Sequence, residues 1–310
     1  MKLLPTERLI LGINFALMAL DLTLIYRSGV GIDYPGYAAG LAIAGFCIGV
    51  GQLYRSFRSD EGIALATTAC GLYIMFTIVA SMSNYLLLPN HNVIIDQQLI
   101  KIDAALGFSW PSFVVWTAQW PWLGTLLRIV YMSSLAQLIL VILILGFTAK
   151  RNDLHKFLLT GVFAAIITIG TWDLFPSAGA SAFETLTPQA DGALPILVGP
   201  EYGAELLRLF ADGVKYISPK NVLGVIGFPS FHCVMACLSL WYMFRFKYVF
   251  PLFLAVNIVM VPAIIVQGGH HLSDILGGFA VFALATFCAG FVLKNINKTV
   301  GWSKSSVIAN

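Results

Sequence analysis

An otherwise apolar chain is interrupted by two short polar stretches: GFPSFH at residues 227–232 and GGHHLSD at residues 268–274. Each stretch is followed by a long apolar run, at 233–245 and at 275–293. Ionisable side chains at the mouth of a membrane helix are unfavourable unless they are paired or solvated, which makes them candidates for function. We therefore expect the histidines and the aspartate of these stretches to form a site.

The composition indicates a membrane protein. Of the 310 residues, 58% are hydrophobic and 11% are charged, and the mean hydropathy is +0.84. Soluble domains have roughly 45–50% apolar and about 25% charged residues. The net charge of +3 is small and forms no basic stripe, which argues against nucleic-acid binding. The five cysteines lie within apolar runs, so we expect neither disulfides nor a metal cluster. The prediction is an all-α polytopic membrane protein.

A spanning helix needs ~20 apolar residues. On this criterion the sequence predicts about eight such helices, near residues 9–26, 37–54, 63–88, 124–147, 155–174, 230–245, 248–267 and 272–293. An even number of spans puts both termini on one side of the membrane.

Lysines and arginines concentrate in the loops of that side, which the positive-inside rule assigns to the cytoplasm. This set comprises Lys2, Arg8, Arg55, Arg58, Lys150, Arg151, Lys156, Arg245, Lys247, Lys294, Lys298 and Lys304. We therefore expect an inner or plasma membrane protein with cytoplasmic termini. Both polar stretches then face the periplasmic or extracytoplasmic side.

The two long loops on the outer side are predicted to carry interfacial helices. Residues 94–108 have an amphipathic pattern, and a belt of tryptophans follows at Trp110, Trp116, Trp120 and Trp122. Further on, apolar residues recur at helical spacing over 201–217. We expect this second segment to lie flat over the membrane as a lid. Membrane anchoring and substrate contact both remain open for these helices.

The spacing within the polar stretches suggests acid–base chemistry. His270 and Asp274 are four residues apart, so on a helix they share a face and can hydrogen-bond. A carboxylate on one ring nitrogen leaves the other nitrogen basic, as a nucleophile or general base requires. His271 is three residues from Asp274 and could also reach it, so the spacing leaves both histidines open. Ser230 can cap the next helix, whose first N–H groups form an anion site beside His232, a possible proton donor.

The two stretches resemble signatures of the type 2 phosphatidic acid phosphatase/haloperoxidase superfamily. Residues 229–232, Pro-Ser-Phe-His, are similar to its second signature, usually Pro-Ser-Gly-His, and His270-x-x-x-Asp274 is similar to the end of its third. The phenylalanine and the Gly-Gly-His-His string look more like the inositol-phosphorylceramide-synthase-like branch. So do WPSF at 110–113, LFPSAG at 174–179 and the pair Asp212-Gly213, and the similarity covers roughly residues 95–290.

This resemblance implies a six-helix phosphatase-like core that works without a metal or other cofactor. His270 would be the nucleophile that forms a phosphohistidine, with Asp274 as its orienting partner. His232 would protonate the leaving oxygen, while Ser230 and nearby backbone N–H groups would hold the phosphoryl oxygens. The implied partner is a membrane lipid, either a phosphorylated lipid or a phospholipid.

The basic signatures of the superfamily are absent from the chain. The Lys-x6-Arg-Pro first signature does not occur, and the arginine six residues before the histidine is replaced by Ile264. Other cations must then neutralise the phosphate. The candidates are Arg128, Arg208, Lys215 and Lys220. His271 and Asp173 are further candidates for substrate contact on the same predicted side.

These features predict two N-terminal spans at 1–60, a phosphatase- or phosphotransferase-like core at 61–295 and a cytoplasmic tail at 296–310. The leading hypothesis is a lipid-phosphate phosphatase or phosphotransferase at the outer membrane interface. Head-group transfer of the phosphoinositol type to a lipid or glycan hydroxyl is an alternative. Two other classes are a proton- or metal-coupled transporter and a metal-dependent hydrolase. The hydrolase would use the same histidines and Asp274 as metal ligands.

Overall fold

The computed structural model describes residues 2–221 and 224–299 and is mainly helical. Its helices are α1 (Pro5–Ser28), α2 (Tyr34–Leu53), α3 (Glu61–Leu86), α4 (Asp96–Ala105), α5 (Trp110–Ala118), α6 (Pro121–Met132), α7 (Ser134–Phe147), α8 (Arg151–Leu174), α9 (Ala180–Phe183), α10 (Pro188–Ala193), α11 (Pro200–Asp212), α12 (Phe231–Met243), α13 (Phe250–Gln267) and α14 (Leu272–Thr299). The predicted all-α polytopic class is confirmed. Of the predicted tail, 296–299 belong to α14, while 300–310, including Lys304, lie outside the described residues.

Helices occur at all eight predicted spans, but their lengths differ. Within the described part of the chain, six are long and apolar enough to cross a membrane: α1, α2 with a π-helical turn at Tyr54–Arg58, α3, α8, α13 and α14. Helices α6 and α7 are bent by 46° at their junction and form a seventh span if taken as one. Helix α12 has 13 residues. At 1.5 Å per residue it is ~20 Å long, shorter than a ~30 Å hydrocarbon core.

Ion pairs join the helices at one end of the bundle. Arg55 contacts Glu7 at 2.7 Å, and Arg151 pairs with Glu61. His155 lies 3.7 Å from the same Glu7 and is only 5% exposed. His155 belongs to the first two turns of α8 and faces a buried carboxylate. These residues form the basic end that the charge pattern assigns to the cytoplasm.

The opposite end is covered by α4, α5, α9, α10 and α11, of which α4 and α11 correspond to the two predicted interfacial helices. Trp110, placed by sequence in a tryptophan belt, is instead 1% exposed and donates its indole N–H to the carbonyl of Ile265 at 2.8 Å. Trp116, Trp120 and Trp122 are about half or more exposed. Trp110 thus packs α5 onto α13, because a buried indole N–H needs an acceptor.

The helix predicted over 201–217 ends earlier than expected. Gly213 has a φ of +72°, in the left-handed region that favours glycine, and α11 stops at Asp212. The following strand β2 (Tyr216–Ile217) pairs in parallel with β1 (Gly31–Ile32) between α1 and α2. The N-terminal hairpin is therefore tied to the segment that covers the end of the bundle.

The short helix α12 lies in the centre of the bundle. It packs against α7, α8, α13 and α14. Its N-terminus, where Ser230 and His232 lie, therefore emerges in the middle of the covered end, beside the turn between α13 and α14.

We predict that Gly146→Ala destabilises the protein, whereas Gly45→Ala does not. A Cβ at Gly146 would lie 2.5–2.8 Å from atoms of Ala66, including its backbone, while a Cβ at Gly45 meets nothing within 4 Å. Overpacking at Gly146 should lower the free energy of unfolding by about 1–3 kcal/mol. In the control, Ala should be neutral or favourable by up to about 1 kcal/mol. Thermal unfolding in detergent measures both, and equal shifts would contradict the close approach of α3 and α7.

Candidate functional site

The pair His270–Asp274 lies at the turn from α13 into α14. His270 Nδ1 is 2.9 Å from Asp274 Oδ2, and both side chains are almost completely buried. The spacing allows either His270 or His271 to pair with Asp274. In the structure, the ring that pairs with Asp274 is that of His270. A carboxylate can only accept, so in a neutral His270 ring this contact puts the proton on Nδ1 and the lone pair on Nε2.

The cap of α12 faces this lone pair. Ser230 is fully buried, its Oγ accepts from the N–H of Cys233 at 3.4 Å, and its own N–H donates to the Asp274 carbonyl at 3.0 Å. The Ser230 Oγ is 3.5 Å from His270 Nε2. The first N–H groups of a helix lack intrahelical partners and attract anions. His270 Nε2 therefore points at a potential anion site.

His232 completes this group from the second position of α12. Its ring stacks on Tyr131 of α6, with centroids 4.0 Å apart and an angle of 19°, and lies 6.5 Å from the His270 ring. The two sequence motifs do not identify Tyr131 as part of the site. No local motif marks a tyrosine that comes from a separate helix.

The second histidine of the turn, His271, has a different set of partners. Its side chain is fully buried, Nε2 lies 3.1 Å from Asp96 Oδ1, and Nδ1 lies 3.7 Å from Asp103 Oδ2. Its backbone N–H donates to Asp274 Oδ2 at 2.8 Å. The His271 ring is thus directed at carboxylates of α4 and away from His270.

Asp96 joins three parts of the chain. Besides His271, its carboxylate accepts from the Ser177 hydroxyl at 2.9 Å and from the N–H groups of Ala178 and Gly179 at 3.1 and 2.9 Å. Gly179 has a φ of +87°, and a Cβ there would lie 2.7 Å from the Gly269 carbonyl. The turn at 177–179 is therefore held directly against the histidine turn.

Asp103 caps the N-terminus of α14. Its two oxygens accept from the N–H groups of Leu272 and Ser273 at 2.7 and 2.9 Å. A carboxylate there also complements the positive end of the helix dipole. Sequence reasoning recorded Asp96 and Asp103 only as polar residues of an amphipathic helix. Their seven-residue spacing, with buried Leu99 between them, puts both on the buried face, and that was the available signal.

The carboxylates favour the charged form of His271. Burial alone would lower the pKa of His271, but Asp96, Asp274 and Asp103 outweigh it and raise the pKa above its ordinary value. Burial raises the pKa of the neighbouring Glu184, and the interaction with His271 partly opposes this shift. The acidic groups around the turn therefore favour a positive charge on the His271 ring.

The predicted phosphate-binding cations differ in their surroundings. Arg128 lies one turn before Tyr131 on α6, is partly buried, and reaches the Pro195 carbonyl only at 3.4 Å. Arg208 pairs with Glu205 at 2.6 Å and is exposed. Ile264, at the position of the missing arginine, is fully buried.

The surroundings of the other three candidates, Lys215, Lys220 and Asp173, involve residues other than His270. Lys215 and Lys220 are exposed, and Lys220 acts on Asp33, whose pKa is lowered mainly by its hydrogen bond with Ser218. Asp173 accepts from the Asn90 side-chain amide through its backbone carbonyl at 2.9 Å. These contacts connect loops of the covered end.

No group of three or more His, Cys, Asp or Glu side chains is placed to hold a metal ion within residues 2–221 and 224–299. The side chains that a metal-dependent hydrolase would use as ligands are His232, His270, His271 and Asp274. In the structure they contact other protein groups. His270 Nδ1 and His271 Nε2 each face a carboxylate, and the His232 ring stacks on Tyr131.

Comparison with known proteins agrees with this arrangement. A family model described as the PAP2 superfamily matches residues 97–288, more than half of the chain, including both polar stretches. The chain belongs to the PAP2 superfamily. Membership points to phosphatase or phosphotransferase chemistry, while the inositol-phosphorylceramide-synthase-like branch stays a prediction. No curated protein and no solved structure matches the chain.

We predict that stability falls as the pH rises and that His271→Asn removes this dependence. Charged His271 stabilises the fold below its unfolded pKa, about 6.5. That contribution is lost as the pH rises through the higher folded pKa. Thermal unfolding midpoints from slightly acidic to alkaline pH measure the effect. The exposed His91→Asn variant should keep the wild-type slope. An unchanged slope in His271→Asn would show that His271 is not the charged group.

Proposed function

We propose that this chain is a membrane-embedded phosphatase or phosphotransferase that acts on a lipid phosphate, with His270 as the nucleophile. One observation carries the proposal: His270 Nδ1 is held by Asp274 while Nε2 faces the capped N-terminus of α12. A phosphoryl group bound to these N–H groups would have its phosphorus next to a basic nitrogen.

The proposed reaction has two steps. In the first, His270 Nε2 forms a bond to phosphorus, the P–O bond to the lipid breaks, and His232 gives a proton to the leaving oxygen. Asp274 stabilises the positive imidazole that results. In the second, water or a hydroxyl attacks phosphorus, His232 takes the proton from it, and the P–N bond breaks. Water gives a phosphatase and a lipid or sugar hydroxyl gives a phosphotransferase.

We assign Arg128 as the cation that binds the phosphoryl oxygens. It precedes Tyr131 by three residues on α6, and the Tyr131 ring lies against His232. Residues three apart on a helix share a face, so Arg128 lies on the side of α6 that faces the site. Its long contact to the Pro195 carbonyl leaves it able to reorient, whereas Arg208 is held in a pair with Glu205.

We further propose that the site lies at the extracytoplasmic interface. The basic loops and the ion pairs among α1, α2, α3 and α8 lie at the other end of the bundle, which favours a cytoplasmic location for that end. A phosphate at an interface can reach water while its lipid remains in the membrane. This location supports a lipid substrate over a soluble one.

We predict that His270→Ala lowers kcat for lipid phosphates by about 10³-fold or more. The measurement is phosphate or head-group release from phosphatidic acid, an isoprenyl pyrophosphate and an intact phospholipid, in detergent with EDTA. Wild type should release product and form an acid-labile phosphoprotein, and the variant should do neither. The exposed His91→Ala is the matched control.

Other outcomes of this assay separate the alternatives. Release that EDTA abolishes would favour the metal-dependent hydrolase, and transfer of an intact head group would identify the head-group transferase. Absence of turnover on every lipid, with a correctly folded wild type, would falsify the phosphoryl-transfer proposal and leave transport as the next hypothesis.

We predict that Arg128→Ala lowers kcat by about 10²–10³-fold, because it removes a positive group that stabilises the developing charge. Steady-state kinetics on the preferred lipid phosphate measure the loss. Arg27→Ala, an exposed arginine in the last turn of α1, is the control. A larger loss in Arg208→Ala, Lys215→Ala or Lys220→Ala would assign the phosphate to that residue instead.

A further inference from the structure

An apolar cavity of about 300 Å³ extends from His232 into the bundle. It is partly open and is bordered by α1, α3, α7, α8, α12 and the loop at 224–226, and its lining is mostly aliphatic and aromatic, with Phe76, Phe157 and Leu238 among the side chains. His232 lines the same cavity. The proton donor proposed for the leaving oxygen therefore borders an apolar space inside the bundle.

The N-terminal helices supply one wall of this cavity. Ile10 of α1 and residues of α3 between Leu72 and Asn84 line it, and both helices precede the family-matched region 97–288. The opposite wall, from α7, α8 and α12, lies within that region. The cavity therefore lies between two helices outside the matched region and three helices inside it.

Two buried polar atoms of the lining, Asn84 Oδ1 and Thr168 Oγ1, have no hydrogen-bond partner among the residues that the structure describes. In contrast, the hydroxyls of Thr77 and Ser81 in the lining donate to carbonyls of their own helix. An unpaired buried polar atom is destabilising. A ligand that offers a hydrogen-bonding group would remove this penalty.

We propose that this cavity binds a single hydrocarbon chain of the lipid substrate and selects it by length, with Asn84 and Thr168 receiving a hydroxyl group on that chain. The proposal rests on the proposed phosphoryl transfer, because the chain must enter with its phosphate beside His232. It makes α1 and α3 determinants of substrate choice in addition to membrane anchors. A hydroxyl suits either polar atom, since it can donate to the Asn84 oxygen or accept from the Thr168 hydroxyl.

The volume sets the expected chain length. A methylene group takes up about as much space as a water molecule, ~30 Å³, so the cavity holds one chain of roughly ten carbons. A second chain of a diacyl lipid would have to remain in the bilayer.

The test uses phosphate monoesters of butanol, decanol and hexadecanol with wild type, Gly161→Leu and Gly170→Leu. Gly161 lines the cavity, and a Cβ there meets only Leu238 Cδ1, at 3.9 Å, so the added side chain fits at its base and extends into the space. Gly170 is on the same helix, and a Cβ there meets nothing within 4 Å.

In wild type, kcat/KM should rise from butyl to decyl phosphate and then level off. Gly161→Leu should lower the decyl-to-butyl ratio by about tenfold or more, since several methylenes lose their buried site. Gly170→Leu should keep the wild-type ratio. An unchanged ratio in Gly161→Leu would overturn the chain site.

A binding measurement separates this inference from the proposed reaction. A decyl phosphonate with a terminal diazirine cannot be hydrolysed and reports on the chain alone. Photolabelling should map to the cavity walls on α3, α8 and α12, even if no phosphate ester is turned over. Labelling of the separate groove on the surface of the bundle between α8 and α14, which is lined by Ile166, Phe287 and Phe291, would overturn the inference.

Asn84→Leu tests the polar part of the proposal. In wild type, a decyl phosphate with a hydroxyl on its chain should compete with the phosphonate label better than plain decyl phosphate. Asn84→Leu should reverse this preference, because the unpaired oxygen is replaced by apolar atoms. An unchanged preference would show that Asn84 does not contact the chain.

Discussion

Three buried carboxylates converge on the turn between α13 and α14, and the arrangement of the site follows from their need for partners. Asp274, Asp96 and Asp103 are at most 3% exposed, and a buried charge without compensation is strongly destabilising. Asp274 Oδ2 is paired with the His270 ring and the His271 N–H, and Asp103 accepts from the first N–H groups of α14. Asp96 accepts from His271 and from the turn at 177–179. No member of this network can move alone, so the histidine turn is fixed from several directions.

The network also explains how segments far apart in sequence form one site. Helix α4 brings two carboxylates under α14, and the turn at 177–179 fits against Gly269 because Gly179 has no side chain. Ser230 joins this group through its N–H bond to the Asp274 carbonyl. The nucleophile candidate, the helix N-terminus and the buried charges are therefore one hydrogen-bonded unit. Such rigidity holds a basic nitrogen in place for chemistry without loss of free energy when substrate binds.

The sequence predicted the helices well because apolar run length reports directly on membrane burial. It also identified His232, His270, Asp274 and Ser230 as neighbours, from two motifs separated by one helical hairpin. It did not predict what depends on packing between distant segments. The roles of Asp96 and Asp103 require α4 to dock beneath α14, and Trp110 is buried because α13 offers a carbonyl to its indole. His155 is buried against Glu7, which is almost 150 residues away in the chain, so this contact also depends on packing. Some helix ends differ from the predicted ones for local reasons. One example is α11, which ends before Gly213 because this residue has a positive φ.

The shortness of α12 has a consequence for the bilayer itself. Arg245 and Lys247 follow α12 and, as charged groups, hold that end at the aqueous boundary. The missing length, ~10 Å relative to the hydrocarbon core, therefore falls at the His232 end. The segments that cover this end of the bundle therefore take the place of the missing turns, because α12 lies between α7, α8, α13 and α14. Under the proposed function, a lipid would have to bring its phosphate down to this depth inside the protein.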